Sequence, residues 1–147
     1  MPTAAKLVGC LLFALIGAAV ALRLPHYLPE GMKIGLLLPV TVAMAGLFGW
    51  RIAGPRSGGQ SYGDAAATGL MTVTVTTLAL LLTFGLFEML RLTQRMVYKG
   101  PLEAVIGIFE QAMKFAPLLW HSDLLLVMGI GGLLAGVACE VAGRRWP

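Results

Sequence analysis

The chain has 147 residues, of which 58% are apolar and 12% charged, with a net charge of +4 and two cysteines. A soluble domain carries about 25% charged residues, and a core of this size cannot hide so much apolar surface from water. The composition excludes an ordinary soluble domain, and two cysteines exclude both a disulfide framework and a Cys-rich zinc module.

Charged residues divide the chain into long uncharged runs. The first, Leu7–Leu22, lies between Lys6 and Arg23. A bilayer core needs about 20 apolar residues, and this run reaches that length when Lys6 and Arg23 snorkel to the interface. It reads as a span over 4–23. Ala19-Val20-Ala21 has the look of a leader cleavage site. The apolar run, however, exceeds the ~7–15 residues of a signal-peptide core, so the segment is expected to stay. Pro25, Pro29 and Gly31 then break the chain.

The second run, Ile34–Trp50, gives a span over 34–53. Pro39 sits early in it, where first-turn N–H groups lack helical partners anyway. Gly54-Pro55-Arg56-Ser57-Gly58-Gly59 is expected to end it. The third run, Ala65–Phe87, gives a span over 65–91 with a stripe of Thr68, Thr72, Thr76 and Thr83. Threonine hydroxyls in a helix bond back to the carbonyl one turn earlier. The alternative is a polar path through the bundle.

The following connection carries a pattern of its own. Leu102, Val105, Ile106, Phe109, Ala112, Met113 and Ala116 share one helical face, and Glu103, Glu110 and Lys114 another. This is the spacing of an amphipathic helix over about 101–116, with Glu110 and Lys114 placed for an i, i+4 pair. Three charges forbid a span, so it is expected to lie in the interface, apolar face down. The alternative is a helix packed on the others in a water-exposed loop. The last run, Leu124–Cys139, gives a span over 123–143, with Ser122 and Asp123 as N-cap candidates.

Small residues gather on helix faces: Cys10, Ala14, Gly17, Ala18 and Ala21 in the first span; Gly35, Ala45, Gly46 and Gly49 in the second. The last span has Gly129, Gly132, Gly136 and Gly143, with Cys139 and Glu140 in the same arc. Close approach of small residues drives helix association in lipid. The expected fold is an all-α integral membrane protein: one domain over 1–147, four transmembrane helices in a compact bundle, and one interfacial helix. Whether some of those faces instead join a homo-oligomer or other membrane subunits stays open. The lipid bilayer is the expected partner.

Ionisable residues inside spans are functional candidates. Glu88 has Arg91 and Arg95 one and two turns on, and Glu140 has Arg144 one turn on. Each pair fits an interfacial ion pair that fixes helix depth; a proton-coupled carboxylate is the sharper reading, for which Glu140 is the better placed. Cys10 and Cys139 lie at similar depth on small-residue faces and are expected to be near each other, a candidate thiol pair. Gly129-Ile130-Gly131-Gly132 lies in an apolar helix with no strand before it, so a dinucleotide site fails. No catalytic set or metal motif emerges, and no cofactor and no enzymatic activity are expected. The basic residues sit at membrane borders, where they belong, so nucleic acid is not an expected partner. Four spans put both termini on one side. That side holds Lys6, Arg51, Arg56, Arg144 and Arg145, and the other holds Arg23, Lys33, Arg91, Arg95, Lys99 and Lys114; the first set lies closer to the span ends and Lys114 belongs to the amphipathic segment, so the terminal side is read as cytoplasmic.

Several stretches carry a family resemblance. They are Met1-Pro2-Thr3-Ala4-Ala5-Lys6-Leu7-Val8; Leu28-Pro29-Glu30-Gly31; Gly49-Trp50-Arg51 with Gly54, Arg56 and Gly58; Gly100-Pro101-Leu102-Glu103-Ala104 with Phe109-Glu110; and Arg144-Arg145-Trp146. In series they resemble the TrgA family of bacterial membrane proteins, named for an association with tellurite resistance. The Thr-rich third span departs from that family's pattern, where more aromatics would stand. The resemblance implies a small inner-membrane protein linked to resistance to a toxic oxyanion, as an accessory or assembly component, and no catalytic residues. Arg51, Arg56, Glu103 and Glu110 are the charged positions inside the matching motifs. The competing expectation is a small four-helix transporter or exporter of an anion or drug-like solute. Small multidrug exporters rely on a carboxylate deep in the first span, and this first span has none.

Overall fold

The structure is a computed structural model that describes residues 4–24, 35, 37–93 and 101–146. Among these there is no strand. Helix α1 covers Ala4–Arg23. Helix α2 runs from Leu37 to Arg56 as an α-helix to Phe48, a π turn over Gly49–Ala53 and a closing turn over Gly54–Arg56. Helix α3 covers Tyr62–Thr93, α4 Pro101–Leu119 and α5 Ser122–Arg145. Four of them, α1, α2, α3 and α5, are long and apolar enough to cross a membrane. The expected breakers Pro25, Pro29 and Gly31 lie outside the described residues.

These four form a closed ring. Helix α1 packs between α2 and α5, α5 packs between α1 and α3, and α3 closes the ring against α2. Small residues dominate the interior, with Phe13 as the large exception among those between the helices: Gly9, Phe13 and Gly17 of α1, Thr41, Ala45 and Gly49 of α2, Ala65, Gly69 and Thr72 of α3, and Gly132, Gly136 and Cys139 of α5 are buried. Leu7, Leu11, Leu15, Leu78, Leu82, Leu126 and Leu134 point outward. This inverts a soluble core. Lipid solvates leucine as well as protein does, so contact between backbones holds the helices together.

Two crossings show it. At α1/α2 a Cβ on Gly49 would strike the Gly9 carbonyl and Phe13. At α3/α5 a Cβ on Gly69 would strike the Gly132 carbonyl, and one on Gly136 the Ala65 carbonyl. Two members of the small-residue faces stand apart. Gly35 precedes α2, and neither it nor Gly129 has a neighbour within 4 Å of an added Cβ. On α1 the buried face centres on Gly9, Phe13 and Gly17, and Cys10, Ala14 and Ala18 are half-buried. The shift follows from α1 having two neighbours to face rather than one.

Boundaries differ from the sequence reading where charge was taken as a border. Helix α2 continues through Gly54-Pro55-Arg56 instead of ending at Ala53, and the break falls on Ser57–Ser61. The Gly54 N–H bonds five residues back, to the Gly49 carbonyl. That wider turn makes room for the Pro55 ring, which in a regular α-helix meets the carbonyl four residues earlier. Helix α3 begins at Tyr62 rather than 65, because Ser61 caps it: its Oγ accepts from the Asp64 N–H at 3.1 Å and donates to the Asp64 carboxylate at 2.7 Å. The N-cap of α5 is His121, not Ser122 or Asp123, which lie in its first turn. The turn through Trp120 and His121 starts the helix one step earlier, and the Leu125 N–H reaches the His121 carbonyl at 3.0 Å.

Helix α4 is present and runs to Leu119, three residues beyond the expected end. With 32 residues, α3 is about 48 Å long at ~1.5 Å per residue, against a hydrocarbon core of about 30 Å. Helix α4 docks on the far part of α3, where a Cβ on Gly85 would meet the Ile108 carbonyl and Ala112. Gly107, Gln111 and Ala112 are buried there. Leu102, Val105, Ile106, Phe109 and Met113 stay exposed on the opposite side. One edge of α4 thus packs on protein, and its apolar stripe is left uncovered.

Candidate functional site

The site lies where the α2–α3 loop meets the last turns of α5. Ser57 starts the loop by closing α2, its hydroxyl donating to the Ala53 carbonyl at 2.7 Å. Gly58 follows with φ of +110°, a conformation that side chains rarely adopt. The turn aims two N–H groups at α5. The Gly58 N–H donates to Oε2 of Glu140 at 2.8 Å, and the Gln60 N–H to Oε1 at 3.1 Å. Arg144, one turn on, donates from Nε to Oε1 at 2.8 Å and from Nη2 to the Gln60 carbonyl. Its guanidinium lies over the Tyr62 ring, 4.8 Å from the centroid.

Glu140 is fully buried, and its carboxylate is ringed by three donors. A buried charge is tolerated only when paired and hydrogen-bonded in this way. Gly143 makes the approach feasible, since a Cβ there would stand 2.9 Å from the Gly58 nitrogen. The arrangement is a clasp: α5 holds the loop between α2 and α3 through one carboxylate and one guanidinium.

A polar line continues inward. The Thr68 hydroxyl donates to the Gln60 side-chain oxygen at 3.2 Å. Below it, Thr72, Thr76 and Thr83 donate to the carbonyls of Thr68, Thr72 and Ala79 at 2.7–2.8 Å. Three members of the stripe thus bond back one turn, and Thr68 instead joins the loop.

The other candidates are dispersed. Arg51 is exposed on the π turn. Arg56 donates to the Met71 sulfur on α3 at 3.1 Å. Glu88 pairs with Arg91 at 3.7 Å at the opposite end of the bundle; Arg95 lies outside the described residues. Glu103 and Glu110 are exposed on α4. Cys10 and Cys139 are free thiols on neighbouring helices. The Cys139 sulfur sits 3.4 Å from the Cβ position of Gly9 on α1, and the Cys10 sulfur 3.3 Å from that of Gly46 on α2. The Cys139 sulfur thus lies beside the residue that precedes Cys10. Among the described residues no three His, Cys, Asp or Glu side chains converge.

The sequence reading found Glu140 and Arg144 and missed Gly58, Gln60, Ser61 and Tyr62. Ser61-x-x-Asp64 was the available signal, a capping box that announces both the helix and the loop before it. Beside the clasp is an open cleft of about 320 Å³, its wall formed by Lys6, Pro55, Ser57, Gly143 and Trp146 among others. Comparison with known protein families, characterised proteins and solved structures finds no match to this chain.

Proposed function

We propose that the protein is a non-enzymatic component of a bacterial inner membrane, with both termini cytoplasmic. In this reading it contributes to resistance to tellurite or a similar toxic oxyanion as an accessory or assembly subunit. The resemblance to the TrgA family supplies the oxyanion. The clasp at Glu140 supports the accessory role. A carrier needs a carboxylate that exchanges partners in each cycle, whereas Glu140 is committed to Gly58, Gln60 and Arg144. The orientation is supported by exposed Arg51, Arg56, Arg144 and Arg145 at the terminal end of the bundle.

Deletion of the chain from its host is expected to lower tellurite tolerance, with restoration by the wild-type chain. Purified protein in vesicles is expected to give no tellurite flux when a proton gradient is imposed. Unchanged tolerance after deletion would remove the oxyanion role. The second reading, a small proton-coupled exporter, is favoured by the line from Glu140 through Gln60 and Thr68 toward buried Thr72. Gradient-driven flux that disappears in Glu140→Gln would select it.

A further inference from the structure

We propose that Met71 is a sulfoxidation site: a hydroperoxide oxidises its sulfur, and Arg56 then holds the sulfoxide and tightens the seam between α2 and α3. Among the described residues, two side-chain hydrogen bonds cross that seam, and both end on a methionine sulfur. Arg56 donates from Nη1 to the Met71 sulfur at 3.1 Å, and the Thr83 hydroxyl reaches the Met44 sulfur at 3.5 Å. A thioether is a weak acceptor, so both ties are weak while the sulfurs are reduced.

Donors and access select Met71. The Thr83 proton is committed to the Ala79 carbonyl at 2.7 Å, which leaves Met44 without a free donor. Arg56 differs. Its guanidinium carries five N–H donors, and the ion pairs Glu88–Arg91 and Glu140–Arg144 leave it out. Met71 is 47% exposed and open to a small uncharged oxidant, whereas Met89 is buried. Met113 is more exposed, but among the described residues no hydrogen bond ends on its sulfur. The step balances with hydrogen peroxide as the oxidant. A sulfur lone pair attacks one peroxide oxygen; the S–O bond forms as the O–O bond breaks. Sulfur loses two electrons, and the leaving hydroxide takes the proton of the transferred oxygen and departs as water. Arg56 covers one of the two sulfur lone pairs, so oxygen enters on the other and one sulfoxide epimer dominates. A small rotation of the terminal thioether brings that oxygen to the guanidinium, in a charge-assisted bond. Sulfoxidation usually disrupts apolar contacts; here it strengthens one. The inference holds for either orientation and is independent of the oxyanion role.

The test uses the full chain in peroxide-free detergent, then treated with hydrogen peroxide. Peptide mass mapping is expected to find one added oxygen on Met71 while the bundle stays folded. The two epimer-specific sulfoxide reductases are expected to act on the digested Met71 peptide unequally, one reducing severalfold more of it than the other. Arg56→Ala, at an exposed position, is expected to bring the epimers close to equal. Met71→Leu supplies the baseline for melting, since it carries oxidation at the other methionines. Against it, the change in melting midpoint on oxidation is expected to be about 2–4 °C more positive in the wild type, the shift of one modest interaction in a chain of this size. Phenylglyoxal is expected to modify Arg56 severalfold more slowly after oxidation. Met71 that stays reduced while Met113 is oxidised overturns the proposal. So do equal epimers in the wild type, an equal bias in Arg56→Ala, a midpoint change no more positive than that of Met71→Leu, or an unchanged phenylglyoxal rate. If Arg56→Ala does not fold, the epimer ratio and the phenylglyoxal rate of the wild type decide.

Discussion

The Gly58 N–H donates to the Glu140 carboxylate at 2.8 Å across 82 positions of sequence. A loop between two helices is thus held by the last turns of a third. Removing the carboxylate leaves two N–H groups and a guanidinium without their acceptor.

Glu140→Ala is therefore expected to destabilise the bundle by roughly 1–3 kcal/mol, the cost of leaving buried donors without an acceptor, since the Arg144 left behind is exposed. Glu140→Gln keeps the shape and one acceptor and is expected to cost less. Thermal unfolding in detergent measures both. Equal melting of Glu140→Ala and wild type would show that the clasp carries no stability.

Glycine positions on the α3/α5 crossing should not tolerate a methyl group. Gly136→Ala puts a Cβ against the Ala65 carbonyl, whereas Gly129→Ala enters open space. The first is expected to cost ~1–3 kcal/mol through overpacking, and the second to stay within ~0.5 kcal/mol. Melting of the two variants side by side is the check, and similar losses would contradict the crossing.

For α4, spin labels read which side meets lipid. A label at Phe109 is expected to be accessible to oxygen and shielded from a water-soluble relaxation agent. A label at Glu110 is expected to show the reverse, and one at Gln111 to be immobilised against α3. Uniform water access at all three positions would place α4 outside the membrane interface.

The thiols give a simple chemical readout. Cys139 is fully buried in the core with Phe13, Ala53 and Ala135, and is expected to resist a membrane-permeant maleimide until the bundle unfolds. Cys10, half-buried against α2, is expected to react first. Oxidation with copper phenanthroline is expected to leave the two unlinked while the bundle is folded, because Cys139 is fully buried. A disulfide formed between them without unfolding would contradict that burial.

The spans were legible because lipid imposes length and apolarity on any crossing helix. Leu7–Leu22 and Leu124–Cys139, each short of a full span, announced α1 and α5 once their flanking basic residues were counted at the interface. The Gly132/Gly136 face was readable for the same reason, since close approach in lipid demands small residues. What the pattern did not carry was the geometry of the charged ends. Glu140 and Arg144 were visible as an i, i+4 pair. Their further partners, the Gly58 and Gln60 backbone groups, lie about 80 residues away and have no side-chain signature. Pro55 misled in the other direction. A proline reads as a stop, and only the π turn before it shows why the helix continues.

The clasp also sets an order of events in synthesis. Domains and helices emerge from the N-terminal side first, so α2, the loop and α3 are made long before Glu140. Until α5 arrives, the N–H groups of Gly58 and Gln60 must be satisfied by water at the membrane surface. Helix α5 thus completes a connection made early, and closure of that loop reports that all four spanning helices are in place.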